Sequence, residues 1–154
     1  MEYQNVCHDF IERTELNLLA IEGSEGRGSG FEVTQLINSL LGLIVLPKEF
    51  NLFKETDMLN ELKREGWVLP RKLRGRNNPD NLQVLIRHLR NAIAHWGLTF
   101  ISDGSRQISM ITFCNMSTFG KNKGAIMWEG YFSVDDLRSF VSNLVILGKK
   151  RAAE

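Results

Sequence analysis

The 154-residue chain is 43% apolar and 24% charged, with a formal net charge of +1, an ordinary balance for a globular protein and enough length for one core but not comfortably two. Near-neutrality excludes a general electrostatic pull on nucleic acid, so any such role has to come from a local concentration of cations. No apolar run approaches the ~20 residues that span a bilayer, and the acidic, polar opening MEYQNVCHDF is not a secretory leader, so a cytoplasmic chain is expected.

Residues 2–22 read as a first helix, with Val6, Phe10, Asn17/Leu18 and Ile21 at helical spacing and Gly23 closing it. Glu2, Asp9, Glu12, Glu15, Glu22 and Glu25 make this quarter acidic. The run GSEGRGSG (Gly23 to Gly30) follows. It has neither a preceding strand nor a Gly-Lys-Ser/Thr ending, so it reads as a linker rather than a phosphate loop. Cys7 and Cys114 lie far apart in sequence; one disulfide is an option, but reduced thiols suit a cytoplasmic chain better. Cys7-His8 lacks the companion pair that a zinc site needs, so no metal is expected.

Residues 31–46 read as a second helix ended by Pro47, apolar nearly all the way round. Such a helix has to be covered on most sides, at the centre of a bundle or in a dimer interface. Its mid-helix polar groups are Gln35, Asn38 and Ser39. Buried amides need partners, and Gln35 and Asn38 could pair with each other or assist a cationic face elsewhere; packing is the simpler role. A shorter helix is expected within 51–66, with Thr56 as N-cap, Met58, Leu59 and Leu62 facing inward and Gly66 at its end.

Trp67 to Asn78 reads as a basic, proline-containing loop. Lys63, Arg64, Arg71, Lys72, Arg74 and Arg76 concentrate positive charge here, with Glu65 the only acid among them. The segment is either a solvated loop or a phosphate-binding patch made of Arg71, Lys72, Arg74 and Arg76.

Asn81 to Gly97, NLQVLIRHLRNAIAHWG, is the organising stretch. Asn78 as N-cap, Pro79 at the first position and Asp80 beside the dipole give it a start signal. At about 100° per residue, Leu82, Leu85, Ile86, Leu89, Ala92 and Ile93 share one arc, while Gln83, Arg87, Arg90, Asn91, Ala94 and His95 share the opposite one. The second face carries cations and amides but no acid, unlike an ordinary solvated helix face. That composition suits an anion, with Arg87 as a candidate phosphate clamp. His88, at the edge of this face, is expected at the surface. An imidazole suits proton transfer near neutral pH and a guanidinium suits charge on a phosphorane. His95 and Arg90 supply one of each, although His95 could equally be a helix-end imidazole favoured by the dipole. Residues five apart point about 140° apart on a helix, so one chain's pair need not converge. Gly97 would let the helix end loosen near His95.

The sequence R-N-A-I-A-H (Arg90 to His95), together with the apolar stretch FEVTQLINSLLGLIVLPKEF (Phe31 to Phe50), resembles the HEPN superfamily, in particular plasmid- and phage-associated HEPN nucleases of about this length. The resemblance covers most of residues 1–100. It implies a helical bundle, a homodimer that brings Arg90, Asn91 and His95 of two chains to one cleft, and Asn91 as the residue that fixes the geometry. It further implies a metal-independent endoribonuclease that needs no cofactor and leaves a 2′,3′-cyclic phosphate and a 5′-hydroxyl. A toxin or phage-defence role would follow, with an antitoxin partner of nucleotidyltransferase or other type. The alternative within the family is a non-catalytic module that binds RNA, a nucleotide or a protein.

Beyond Gly97 the period changes. Residues 98–102, 106–113 and 125–132 alternate and are rich in β-branched and aromatic types, with Asp103-Gly104 as a hairpin turn and FGKNKG (119–124) as a longer loop. They predict a three-stranded antiparallel meander, which the family's bundle does not require. Ser133 is the expected N-cap of a last helix with Leu137, Phe140, Val141, Leu144, Val145 and Leu147 on its apolar face. Gly148 and residues 149–154 read as a frayed basic tail. The expected architecture is mainly α: one HEPN-like domain over 1–154, a helical bundle with the meander (98–132) inserted before a C-terminal helix.

Overall fold

The helix Leu82–Ala94 (α4) lies against a sheet on one side and against other helices on the other, and the rest of the chain is arranged around that contact. A computed structural model describes residues 6–23, 30–49, 52–104 and 107–153. Before α4 come α1 (Val6–Glu22), α2 (Gly30–Glu49), α3 (Leu59–Arg64) and β1 (Arg71–Arg74). After it come β2 (Leu98–Ser102), β3 (Ile108–Met116), β4 (Ile126–Ser133) and α5 (Val134–Ala152). The fold is α-rich with a small sheet. No described helix is long and apolar enough to cross a membrane.

The strands form one antiparallel sheet in the order β1-β4-β3-β2. The expected meander is therefore present, with β3 running on to Met116, but it gains an edge strand from the segment read as a basic loop. Arg71, Lys72 and Arg74 pair with Tyr131, Gly130 and Glu129. A short, cationic strand with a bulge is a common edge solution, because charge discourages further pairing. That same charge hides it from a hydrophobicity-based reading.

One sheet face is apolar and carries Ile111, Phe113, Trp128 and Phe132, all at most 1% exposed. Phe132 packs on Phe113 and on Phe140 of α5, with ring centroids 6.0 and 5.2 Å apart. From α4, Leu82, Leu85 and Leu89 are fully buried, each burial contributing about 1.5–3 kcal/mol. On α2, Val33, Leu36, Ile37, Leu40, Leu43 and Ile44 are buried. This helix packs against α1, α4 and α5, so its wide apolar surface is largely covered within the chain.

Several boundaries differ from the sequence reading. On α1 the buried stripe is Cys7, Ile11 and Thr14, whereas Val6 is exposed. The helix has turned to meet α2 and α5. Residues 2–5 and the interior of the Gly23–Gly30 linker lie outside the described residues. Pro47 does not end α2, which runs to Glu49; a proline so near the C-terminus forfeits one hydrogen bond and has only the last turn to disturb. The next helix starts at Leu59, not after Thr56, with Met58 as N-cap. Met58 bridges to Asn81, and this pairing holds the chain extended up to that point. Asn78 is not the cap of α4 either. That role falls to Asn81, whose side chain accepts from Val84 N–H at 3.0 Å.

Ser133 does cap α5, accepting from Asp136 N–H at 3.0 Å. The helix then passes through Gly148 to Ala152, so the frayed tail is instead an ordered end. A Cβ at Gly148 would meet Ile11 Cδ1 at 2.8 Å; the glycine is there for close helix packing rather than to stop the helix. Lys149 pairs with Glu15. Arg151 makes a two-pronged bond to Asp57 at 2.6 and 2.7 Å, tying the end of α5 to the approach to α3.

Candidate nucleic-acid site on the central helix

The polar face of α4 opens into a cleft of about 210 Å³ lined by Phe53, Gln83, Val84, Ile86, Arg87 and Arg90. Two guanidiniums and an amide over an apolar floor suit a ligand with both phosphate and flat apolar parts. Arg90 is half-buried. Its Nη2 and Nε donate to Asn91 Oδ1 at 3.0 and 3.3 Å. Adjacent helical residues normally point well apart, while residues four apart are neighbours. Bonding to Asn91 therefore ties the Arg90 head to a residue that shares a helix face with His95.

His95 is the C-cap of α4 and exposed. The helix ends with Gly97 N–H donating to Ala92 O at 2.7 Å and Trp96 N–H donating to Ile93 O at 3.3 Å, the paired bonds of a Schellman ending. The left-handed residue of that ending is usually glycine. Here it is Trp96, with φ of 57°, a conformation that costs a bulky residue about 1–2 kcal/mol. Its ring is 89% exposed, so packing does not offset this cost. Gly97, in turn, is no loosened hinge. A Cβ there would lie 2.0 Å from Cys114 O, and Cys114 N–H donates to Gly97 O at 2.7 Å. The turn carrying His95 and Trp96 is pinned to β3.

His88 is not at the surface as the helical wheel implied. It is 2% exposed, stacked on Trp128 with centroids 5.7 Å apart, and its Nδ1 lies 2.7 Å from Asn115 Nδ2. Asn115 donates, which leaves the proton of the neutral ring on Nε2, and Nε2 is buried without a partner among the described residues. Burial, aided by the charge of Arg87, lowers its pKa from 6.5 to about 4. His88 is thus a neutral core side chain, on the opposite side of α4 from the cleft.

The other basic candidates are dispersed. Arg71 shares a sheet face with Tyr131. Lys72 is at the β1 edge in a hollow with Leu85, Pro79 and Trp128. Arg74 pairs with Glu129, and Arg76 Nη1 donates to Asn122 Oδ1 at 2.8 Å. None of the four lines the α4 cleft. On α2, Gln35 is half-buried and Asn38 exposed, and neither is hydrogen-bonded to α4 among the described residues.

Both cysteines are free thiols. Burial pushes each up, and Glu129 adds to this at Cys114. His8, Asp9 and Glu12 on α1 bring potential ligand atoms within 4.8 Å of one another, a grouping that no familiar metal-site spacing in the sequence announces. It lies on a helix that packs against α2 and α5 rather than beside the cleft.

An α-rich fold with a small sheet, organised on a central helix that carries R-N-x-x-x-H at its end, defines the class of protein. The family model described as HEPN pEK499 p136 matches residues 1–150, and the chain belongs to this HEPN family. No curated protein and no solved structure matches the chain.

Proposed function

We propose that the protein is a metal-independent endoribonuclease, in which Arg90 and His95 act on the RNA phosphodiester and Asn91 positions Arg90. The observation that carries this reading is the Arg90–Asn91 bond, which links the guanidinium to the residue that shares a helix face with His95. Membership of a HEPN family, in which ribonucleases are frequent, supports it.

In the proposed reaction the ribose 2′-oxygen attacks the adjacent phosphorus while an imidazole takes its proton. The P–O5′ bond breaks, and the leaving oxygen is protonated. The products are a 2′,3′-cyclic phosphate and a 5′-hydroxyl. Arg90 faces the charge that builds on the non-bridging oxygens, where a fixed, permanently charged donor is most effective. Arg87, on the rim of the same cleft, would hold a neighbouring phosphate. One imidazole per chain cannot serve as acid and base in the same step. A symmetric homodimer supplies the second His95 at a shared cleft. A cytoplasmic role in a toxin–antitoxin or phage-defence system, held in check by an antitoxin, fits such an activity.

The test is degradation of total RNA in the presence of EDTA. Wild type cuts, while Arg90→Ala and His95→Ala each lose at least about a hundredfold in rate. Equal cutting by all three would overturn the assignment. One observation favours a second reading, a HEPN module that binds RNA or a nucleotide without cutting it: the cleft is lined by Arg87 and Arg90 but not by His95. That reading predicts binding lost in Arg90→Ala and no turnover in wild type.

A further inference from the structure

The end of the sheet beside His95 carries features that the cleft does not use. Trp96 holds a left-handed conformation with φ of 57° and an 89% exposed ring. Glycine would occupy that position without strain. The indole is therefore displayed at a cost to the fold, and a strained residue left this exposed points to a ligand.

The same end gathers the β3–β4 connection and the residues after β1. Gly97 is bonded to Cys114, and β3 continues only to Met116, so Ser117 begins on the order of 10 Å further along the strand. Its loop is built, not slack. Ser117 N–H donates to Ala125 O at 2.9 Å, Gly124 N–H to Ser117 O at 2.8 Å, and Ala125 N–H to Asn122 O at 2.9 Å. It displays Phe119, 84% exposed, together with exposed Lys121 and Lys123. Arg76 joins from the other side through its bond to Asn122, and Asn77 N–H donates to Met127 O at 2.8 Å. Glu129 lies opposite Cys114 in the sheet and is paired with Arg74, while the turn (residues 95–97) and the loop (residues 117–125) contain no Asp or Glu.

We infer that this rim is a binding track for single-stranded RNA leading to His95, with Trp96 and Phe119 stacking bases and Lys121, Lys123 and Arg76 meeting phosphates. Exposed aromatic rings interleaved with cations, with no acid in the turn or the loop that display them, are what a flexible polyanion with flat bases requires. A protein partner or a second copy of the chain would use the rings but has no need of cations alone beside them. The inference rests on the ribonuclease reading for the purpose of the track, not for its chemistry.

The probe is a short, fluorescein-labelled single-stranded RNA, 2′-O-methylated throughout so that it binds without being cut. Trp96→Gly is expected to weaken its binding roughly five- to a hundredfold while leaving the thermal midpoint unchanged or raised, because glycine relieves the strain. Trp96→Phe retains binding to within about threefold. Replacing Lys121 and Lys123 together by Ala weakens binding and flattens its salt dependence, by roughly 1.4 units of the log–log slope. Wild-type affinity in Trp96→Gly would overturn the proposal. So would a change of oligomeric state in that variant with RNA binding intact, which would make the rim a self-interface. If wild type binds the probe through Trp96 yet leaves unmodified RNA whole, the track stands and the ribonuclease reading falls. If wild type and Trp96→Gly bind and cut alike, the ribonuclease reading stands and the track falls.

Discussion

Arg90 leans on its immediate neighbour: Asn91 Oδ1 accepts from both Nη2 and Nε of the guanidinium, at 3.0 and 3.3 Å. Asn91 and His95 are four residues apart, so this bond ties the arginine to a residue on the imidazole's side of the helix. On an ideal helix Arg90 and His95 diverge by about 140°, and Asn91 points between them.

Loss of that bond is expected to act on turnover more than on binding. Asn91→Ala lowers kcat roughly ten- to a hundredfold with little change in KM. Asn91→Asp keeps the geometry but neutralises the guanidinium, and lowers kcat further. Steady-state cleavage of a labelled RNA separates the two parameters. An Asn91→Asp variant as active as wild type would rule out a positioning role for the amide.

Gly97→Ala is expected to damage both fold and activity. The added methyl meets a backbone oxygen at 2.0 Å, and backbone cannot swing aside as a side chain does. The turn or β3 has to move, at a cost of roughly 2–4 kcal/mol. A fall in the thermal midpoint accompanied by loss of cleavage checks this, and a variant with wild-type melting would refute it.

His88 makes stability depend on pH in a defined window. Its pKa is lowered in the folded state from 6.5 to about 4, so between these values the unfolded chain binds the extra proton. The stability associated with the neutral ring is complete above pH 6.5 and is lost as pH falls toward 4, by a total on the order of 3 kcal/mol. His88→Leu removes this dependence at the constant cost of leaving Asn115 without its partner. Urea unfolding of both proteins across the window tests it; parallel pH profiles would contradict the account.

Arg151→Ala is expected to destabilise the fold by roughly 2–4 kcal/mol. Burial alone would raise the Asp57 carboxyl, but the bonds from Arg151 and from Lys54 N–H, with their charges, outweigh it and hold the group below the usual carboxylate range. The pair is only 17% and 9% exposed, so the abandoned carboxylate is poorly hydrated. As the Asp57 pKa is depressed, this contribution is present above the ordinary carboxylate range and is lost as pH falls through the folded value. Chemical denaturation at neutral pH measures the loss, and an unchanged midpoint would show the pair to be dispensable.

Much of this could be read from residue order. The split faces of α4, the Ser133 cap and the alternating strands follow from local periodicity, and local periodicity is carried by the sequence itself. What it missed depends on distant partners. RKLR becomes a strand because β4 offers Tyr131, Gly130 and Glu129 to pair with it. His88 is buried because Asn115 and Trp128, from other elements, accept it. The basic end of α5 is ordered by Glu15 and Asp57, far away along the chain. At the site, Arg90, Asn91 and His95 were visible as a motif. Trp96 was not, because its significance lies in a backbone angle and an exposure that no spacing reveals.

The most direct test of the central claim uses two single-stranded RNAs that differ only by a 2′-deoxy sugar at the cleaved position, each incubated with the protein in EDTA. The account predicts that the all-ribose strand is cut to a 2′,3′-cyclic phosphate and a 5′-hydroxyl, that the deoxy strand is left intact, and that His95→Ala cuts neither. Cleavage of the deoxy strand at the same rate, or cleavage of either strand only when a divalent metal is restored, would contradict it.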